Sequence, residues 1–249
     1  LWNASRYVMM NLGENAVNAL PAAEKLEIAD KWVLSKLNTL IAEVTENLEK
    51  YELGVAVQKV YDFIWDTYCD WYIELTKSRM QAEGETKQAA ESVLCYVLTA
   101  LLKLLHPFMP FISEEIFQAL PHEGEFLMTS QWPEYQDALN FQAEKVAMET
   151  VMEAIRAVRA RRAEMNVPPS KKTTMYIVSE KAEHFRQGTG FICRLAYAAE
   201  TLVCDKEPEG YEDMVSVVTS DAKLFIPLDQ LIDFEKEMER IGREMEKAK

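Results

Sequence analysis

From the first residue to about Met165 the apolar positions recur three and four apart; beyond Thr173 they alternate. The first period is that of amphipathic helices, the second that of strands. Leu1 to Leu12 reads as a short helix with Trp2 and Met9 on its core side. After a connection containing Pro21, a long helix is expected from an N-cap at Asp30 to about Lys50, with Val33, Leu37, Leu40, Ile41, Val44 and Leu48 on one side. A second runs from about Leu53 to Lys77 on Ala56, Val60, Ile64, Tyr68, Trp71 and Leu75. Its aromatic run FIWDTYCDWYIEL reads as bundle core rather than cofactor box. Lys87 to Leu105 is the most apolar helix and so the one expected to be most buried. His106-Pro107-Phe108-Met109-Pro110 ends it and turns into Phe111 to Leu120. Residues 121–140 are irregular, with Trp132-Pro133 expected to fold back on the bundle, and Phe141 to Met165 is the last bundle helix.

The segments TTMYIVS, TLVCDKE, MVSVVTS and AKLFIPL read as strands, with one helix near His184 to Ala198 between the first two. Beyond them Leu231, Phe234, Met238, Ile241, Met245 and Ala248 form a coiled-coil seam, weakened by Gly242 and too short to be stable alone. The expected fold is therefore mainly α: a helical bundle over 1–166, a small α+β (β-α-β-β-β) subdomain over 167–228, and the truncated start of a coiled-coil arm over 229–249. Leu1 is not a start methionine and both ends fall inside helical patterns, so the chain reads as a piece of something longer.

Charge changes this picture at one place. The 249 residues carry a net charge of −14, which argues against a general nucleic-acid coat. The stretch Val151 to Met175 reverses the sign, with six Lys/Arg against two Asp/Glu. It contains IRAVRARRAEMNVPPSKK, a basic helix that stops at Asn166-Val167-Pro168-Pro169, because proline cannot donate the helical hydrogen bond and disfavours helix in the residue before it. Cys69, Cys95, Cys193 and Cys204 fit no zinc spacing and read as reduced thiols of a cytoplasmic protein. There is no signal peptide and no uninterrupted apolar run of membrane-spanning length, so no membrane partner is expected. Gly-rich phosphate loops, His-x-x-Glu-His, Gly-x-Ser-x-Gly and Cys-x-x-Cys are all missing, and His106, His122 and His184 are isolated from one another, His106 reading as a helix-end structural histidine. No catalytic residue and no metal site is expected in this chain. Arg6 and Tyr7 have two readings: an exposed cation beside a packing ring, or a cation and an aromatic plate for an unstacked base. A helical protein-interaction module that finds its partner through the coiled-coil seam remains a second reading of the whole.

Several segments together resemble a known family. LWNASRYVMMNL, DKWVLSKLN, YDFIWDTYCDWYIEL and LLHPFMPFISEEIF are similar to the anticodon-binding bundle of the class I aminoacyl-tRNA synthetases for valine, isoleucine and leucine. The run Glu164-Met165-Asn166-Val167-Pro168-Pro169-Ser170-Lys171, after Ile155-Arg156 and Arg159, resembles the valine branch, and LIDFEKEMERIGREMEKA resembles the start of its coiled-coil arm. The isoleucine and leucine branches stay as alternatives that the Pro-Pro-Ser-Lys junction speaks against. The resemblance implies tRNA(Val) as the partner, chiefly through its anticodon loop, together with catalytic and editing domains and a C-terminal arm of the same chain, in a cytoplasmic monomer. It also implies an enzyme that uses ATP with Mg. The His-Ile-Gly-His and Lys-Met-Ser-Lys-Ser motifs that bind ATP are absent, so the fragment should need no cofactor and be inactive alone. The family's Asn-x-x-Arg-Phe segment, which faces the anticodon, stands here as Asn3, Arg6 and Tyr7, with tyrosine in place of phenylalanine. Asp66, beside Trp65, is implied as a further anticodon contact, and Arg156, Arg159, Lys171 and Lys172 are candidates for phosphate contacts, the alternative being solvated charges.

Overall fold

The computed structural model describes residues 1–13 and 18–231. The coiled-coil expectation from residue 232 onward lies outside the described residues. The chain forms two compact units, Leu1–Lys145 and Val146–Lys249.

The first unit is helical: α1 (Trp2–Asn11), α2 (Ile28–Glu49), α3 (Leu53–Asp62), a π-helical segment (Phe63–Tyr72) running into α4 (Ile73–Met80), α5 (Glu85–Leu105) and α6 (Pro110–Gln118). The α3–π–α4 run is the single helix expected from Leu53, with a wider turn in its middle. The sequence explains where. Phe63/Ile64, Thr67/Tyr68 and Trp71/Tyr72 are buried pairs repeating every four residues. Four residues overshoot an α-helical turn by about 40°, so an α-helix would rotate this stripe off the core. A wider turn keeps it facing inward, and the amide of Ile73 donates to the carbonyl of Tyr68, five residues back. Tyr61 and Trp65, one position after the buried Val60 and Ile64, stay outside at about half exposure.

Two expectations fail in detail. Trp2 is 47% exposed, and the inward residues of α1 are Ser5 and Val8. Trp2 is the first helical residue, and a helical side chain leans toward the N-terminus, here past the end of α1. Asp30 is not the N-cap of α2. Glu27 caps it, and Asp30, three residues later, closes a capping box by accepting the Glu27 amide at 3.0 Å. The Asp30 carboxylate is fully buried and also accepts the Tyr72 hydroxyl at 2.7 Å and Arg79 Nη1 at 2.8 Å. Arg79 Nη2 donates in turn to the Thr86 carbonyl at 3.0 Å. One buried cluster thus ties together the start of α2, the π segment, α4 and the start of α5.

α5 is long and apolar enough to cross a membrane by length and composition, with 78% of that window buried inside the protein. His106 at its C-terminus bonds Ser113 Oγ of α6 through Nδ1 at 2.7 Å, a structural role as expected. Trp132 does fold back, donating from Nε1 to Thr45 Oγ1 of α2 at 2.9 Å.

The second unit opens within α7 (Gln142–Glu164) and continues as β1 (Thr173–Val178), α8 (Ala182–Leu195), β2 (Ala198–Cys204), β3 (Met214–Val218), β4 (Lys223–Pro227) and a single turn, α9 (Leu228–Leu231). This is the expected β-α-β-β-β order. The sheet runs β2-β1-β4-β3, with β1 and β2 parallel across α8 and the other pairs antiparallel. α7 packs onto this unit at particular points. Gly188 of α8 approaches Val151 so closely that a Cβ there would sit 2.5 Å from Val151 Cγ2. Glu153 accepts the Ser220 amide at 3.1 Å and its hydroxyl at 2.7 Å. All four cysteines are free, and burial pushes the Cys95 thiol up to about 11.

Candidate nucleic-acid interface

Positions 3, 6 and 7 share one face of α1 because they are three and four apart. Asn3 and Arg6 are exposed and Tyr7 is half-buried. α1 packs on α5, with Ser5 and Val8 buried. Asn11 Nδ2 donates to the Tyr7 carbonyl at 2.7 Å, holding the last turn of α1. The outer face of the end of α3 and of the π segment carries Asp62, Asp66 and Asp70, all exposed, and the rings of Tyr61 and Trp65 at 6.4 Å centroid separation and 57° between planes. The structure thus places Asn3, Arg6 and Tyr7 on α1 and Asp66 on the π segment of the same unit. Tyr61 was missed as an exposed ring, although its place outside the three-and-four stripe was readable.

In residues 1–145 acidic side chains outnumber basic ones about two to one. Such a field repels a phosphate backbone. What this surface suits is the base edge: a ring or guanidinium to stack on, and a carboxylate to accept from an exocyclic amine.

The cations expected for phosphate belong to the second unit. Arg156, Arg159 and Lys172 are exposed and Lys171 is half-buried. Arg159 has work inside the protein as well: Nε donates to the Leu195 carbonyl at 2.6 Å and the guanidinium lies 5.8 Å from the Tyr197 ring centroid. Arg162, missed as a structural anchor, is 2% exposed and continues the buried stripe of Val151, Ile155 and Val158, a signal legible in its spacing. It donates to Thr173 Oγ1 at 3.3 Å, to the Pro168 carbonyl at 3.2 Å and to the Lys171 carbonyl, and sits 5.6 Å from the centroid of the same Tyr197 ring. Burial holds its pKa below the usual guanidinium value, yet these acceptors surround the charged form. The loop 168–172 that carries Lys171 and Lys172 is therefore held by Arg162 at Pro168 and Lys171.

The helix end before that loop is set by Asn166 rather than by the prolines. Asn166 adopts φ +53°, its amide donates to the Ala163 carbonyl at 3.0 Å, and the Val167 amide donates to the Arg162 carbonyl at 2.9 Å. That is a Schellman stop with asparagine in the left-handed position.

Residues 30–177 match the family model described as the anticodon-binding domain of tRNA ligase. The chain belongs to that family. The match includes Asp66, Arg156, Arg159, Lys171 and Lys172, whereas Asn3, Arg6 and Tyr7 precede it. The chain is also 46% identical over its whole length to the valine–tRNA ligase of Clostridium acetobutylicum, of which it covers 29%. It is 47% identical over 97% of its length to that of Clostridium tetani, of which it covers 28%. The chain thus spans less than a third of the length of the curated relatives it matches. A likeness over 56% of the chain to 16% of a chain in the ternary complex of Agrobacterium radiobacter K84 agnB2 LeuRS, tRNA and LeuAMS has a TM-score of 0.42 and 19% identity, and carries no argument.

Proposed function

We propose that this chain is the anticodon-reading part of a monomeric, cytoplasmic valine–tRNA ligase, and that it binds the anticodon loop of tRNA(Val). The observation that carries the reading is the likeness to valine–tRNA ligases, which extends over the full length of the chain and so over both units. The chemistry of the surfaces agrees. An anticodon loop offers unpaired bases; Tyr7 and Arg6 supply planes to stack on, Asn3 reads an edge with its amide, and Asp66 accepts from a base amine. Phosphates, repelled by the acidic first unit, are left to Arg156, Lys171, Lys172 and the outward face of Arg159. No residue here activates valine, so that chemistry resides in the rest of the polypeptide.

The test is fluorescence anisotropy of this chain with an anticodon stem-loop bearing a valine anticodon, beside one bearing an isoleucine anticodon, at two salt concentrations. The expected result is a salt-dependent preference for the valine loop. Equal affinity for both loops, or none for either, overturns the assignment of specificity to this chain.

A further inference from the structure

The corner between α5 and α6 bears apolar surface that the interface above does not use. Phe111 is 90% exposed, Met128 73%, Phe126 49% and Met109 48%. Phe111, Phe126 and Met128, with Pro110 and His106, line a groove of about 360 Å³. The groove is built in advance. Both oxygens of the Glu114 carboxylate accept the Leu127 amide at 3.1 Å, and Gln118 Nε2 donates to Glu114 at 2.8 Å and to the Glu125 carbonyl at 2.7 Å. Leu127 is 3% exposed, so the 127–129 turn is anchored to α6 while its neighbours Phe126 and Met128 are turned outward.

The charged groups lining the groove are acidic, beside the polar side chains of His106, Gln118 and Thr129. Ser113 Oγ donates its one proton to a carbonyl of the preceding turn, Met109 at 2.8 Å or Pro110 at 3.1 Å. His106 Nδ1 lies 2.7 Å from that Oγ, the donor and acceptor of their bond depending on the imidazole tautomer. Nε2 is buried and has no protein partner. Glu114 and Glu115 line the groove, and no lysine or arginine does. Two carboxylates beside an apolar floor repel phosphate, whether of RNA or of an anionic membrane. The groove suits an apolar side chain flanked by N–H donors and positive charge.

A monomer rarely leaves a preformed apolar patch of this kind uncovered. The chain spans only 28–29% of its valine–tRNA ligase relatives, so most of such a polypeptide lies elsewhere. We infer that the Phe111–Phe126–Met128 groove is a domain-docking site, which seats an apolar side chain from a Lys/Arg-flanked segment of the polypeptide outside these 249 residues. The inference rests on membership of the longer family and not on the anticodon reading.

Methionine oxidation tests it. Met128 would be oxidised with hydrogen peroxide in the 249-residue chain and in the full-length polypeptide, and sulfoxide followed by peptide mass spectrometry. In the chain alone, Met128 should oxidise nearly as fast as free methionine; in the full-length protein, about tenfold more slowly, since oxidation follows exposure. Phe111→Asp and Glu115→Lys should each restore fast oxidation in the full-length protein. Neither should lower the unfolding temperature of the chain, because both side chains already face solvent. Equal rates in the two proteins overturn the inference. So does protection in the chain alone that rises with concentration and accompanies a dimer in sedimentation, which would make a second copy the occupant. Protection that appears only on adding the stem-loop would make RNA the occupant, and overturns it too.

Discussion

Tyr7 stands between two duties. Half-buried and flanked by the exposed Arg6 and Asn3, its ring is partly covered and still offers a surface to solvent. A ring with part of its surface free can stack on an unpaired base. Tyr7→Ala should weaken binding of the anticodon loop by about 1–3 kcal/mol, the usual worth of one base–aromatic stack. Tyr7→Phe should bind like the parent, because the π-face and not the hydroxyl does the stacking. Anisotropy with the valine stem-loop checks both, and unchanged affinity in a folded Tyr7→Ala protein would remove the residue from the interface. At this scale the sequence was a good guide to residue type and a poor one to commitment. Nothing near Arg159 in the chain announces that the Leu195 carbonyl and the Tyr197 ring take part of its guanidinium. Arg162 is different, because its step of four from Val158 marks it as an inward residue before any coordinates are consulted.

Elements were legible wherever one stripe decided them. The core of α2, the α3–π–α4 run and α5 lie where apolar spacing put them, and even the wide π turn follows from a repeat of four. Ends and long-range ties were harder. Asp30 looks like an N-cap because its partners Tyr72 and Arg79 lie 42 and 49 residues away and no local pattern points to them. Those partners make it costly to alter. Asp30→Ala removes the buried carboxylate from Arg79, leaving it only the half-exposed Glu27 at 3.2 Å, and should destabilise the chain by about 2–4 kcal/mol, whereas Asp30→Leu with Arg79→Met should recover much of that loss. Urea unfolding of the single and double variants tests this; a double variant no better than Asp30→Ala would contradict it. The stop of α7 makes the complementary case. If the left-handed turn at Asn166 ends the helix, Asn166→Gly should be nearly neutral and Asn166→Val should cost about 1–2 kcal/mol, since a branched side chain fits that conformation badly. Pro168→Ala with Pro169→Ala should leave the boundary in place. Amide exchange through residues 160–167 reads all three, and a helix that lengthens in the proline variant would return the stop to the prolines.

At the scale of the whole molecule the division of charge becomes an argument about RNA. The change of period at Thr173 shows where helix gives way to strand, but it does not say which unit the preceding helix joins. That depends on contacts such as Val151 with Gly188 and Glu153 with Ser220, which no local pattern encodes. Assigned by those contacts, the basic stretch belongs with the second unit and the first is left acidic. An acidic unit that reads bases and a basic stretch that holds phosphates would contribute to binding in separable ways. Counterion release makes the phosphate share visible as the slope of log affinity against log salt, about 0.7–0.9 per phosphate contacted. Lys171→Ala with Lys172→Ala should therefore flatten that slope by roughly 1–2, while the ratio of affinities for valine and isoleucine loops stays where it was. Tyr7→Ala should do the reverse and lower affinity at every salt concentration with the slope intact. If the lysine pair instead abolished the preference and left the slope unchanged, base reading would have to pass through the basic stretch, and the acidic face of α1 and the π segment would lose its part in recognition.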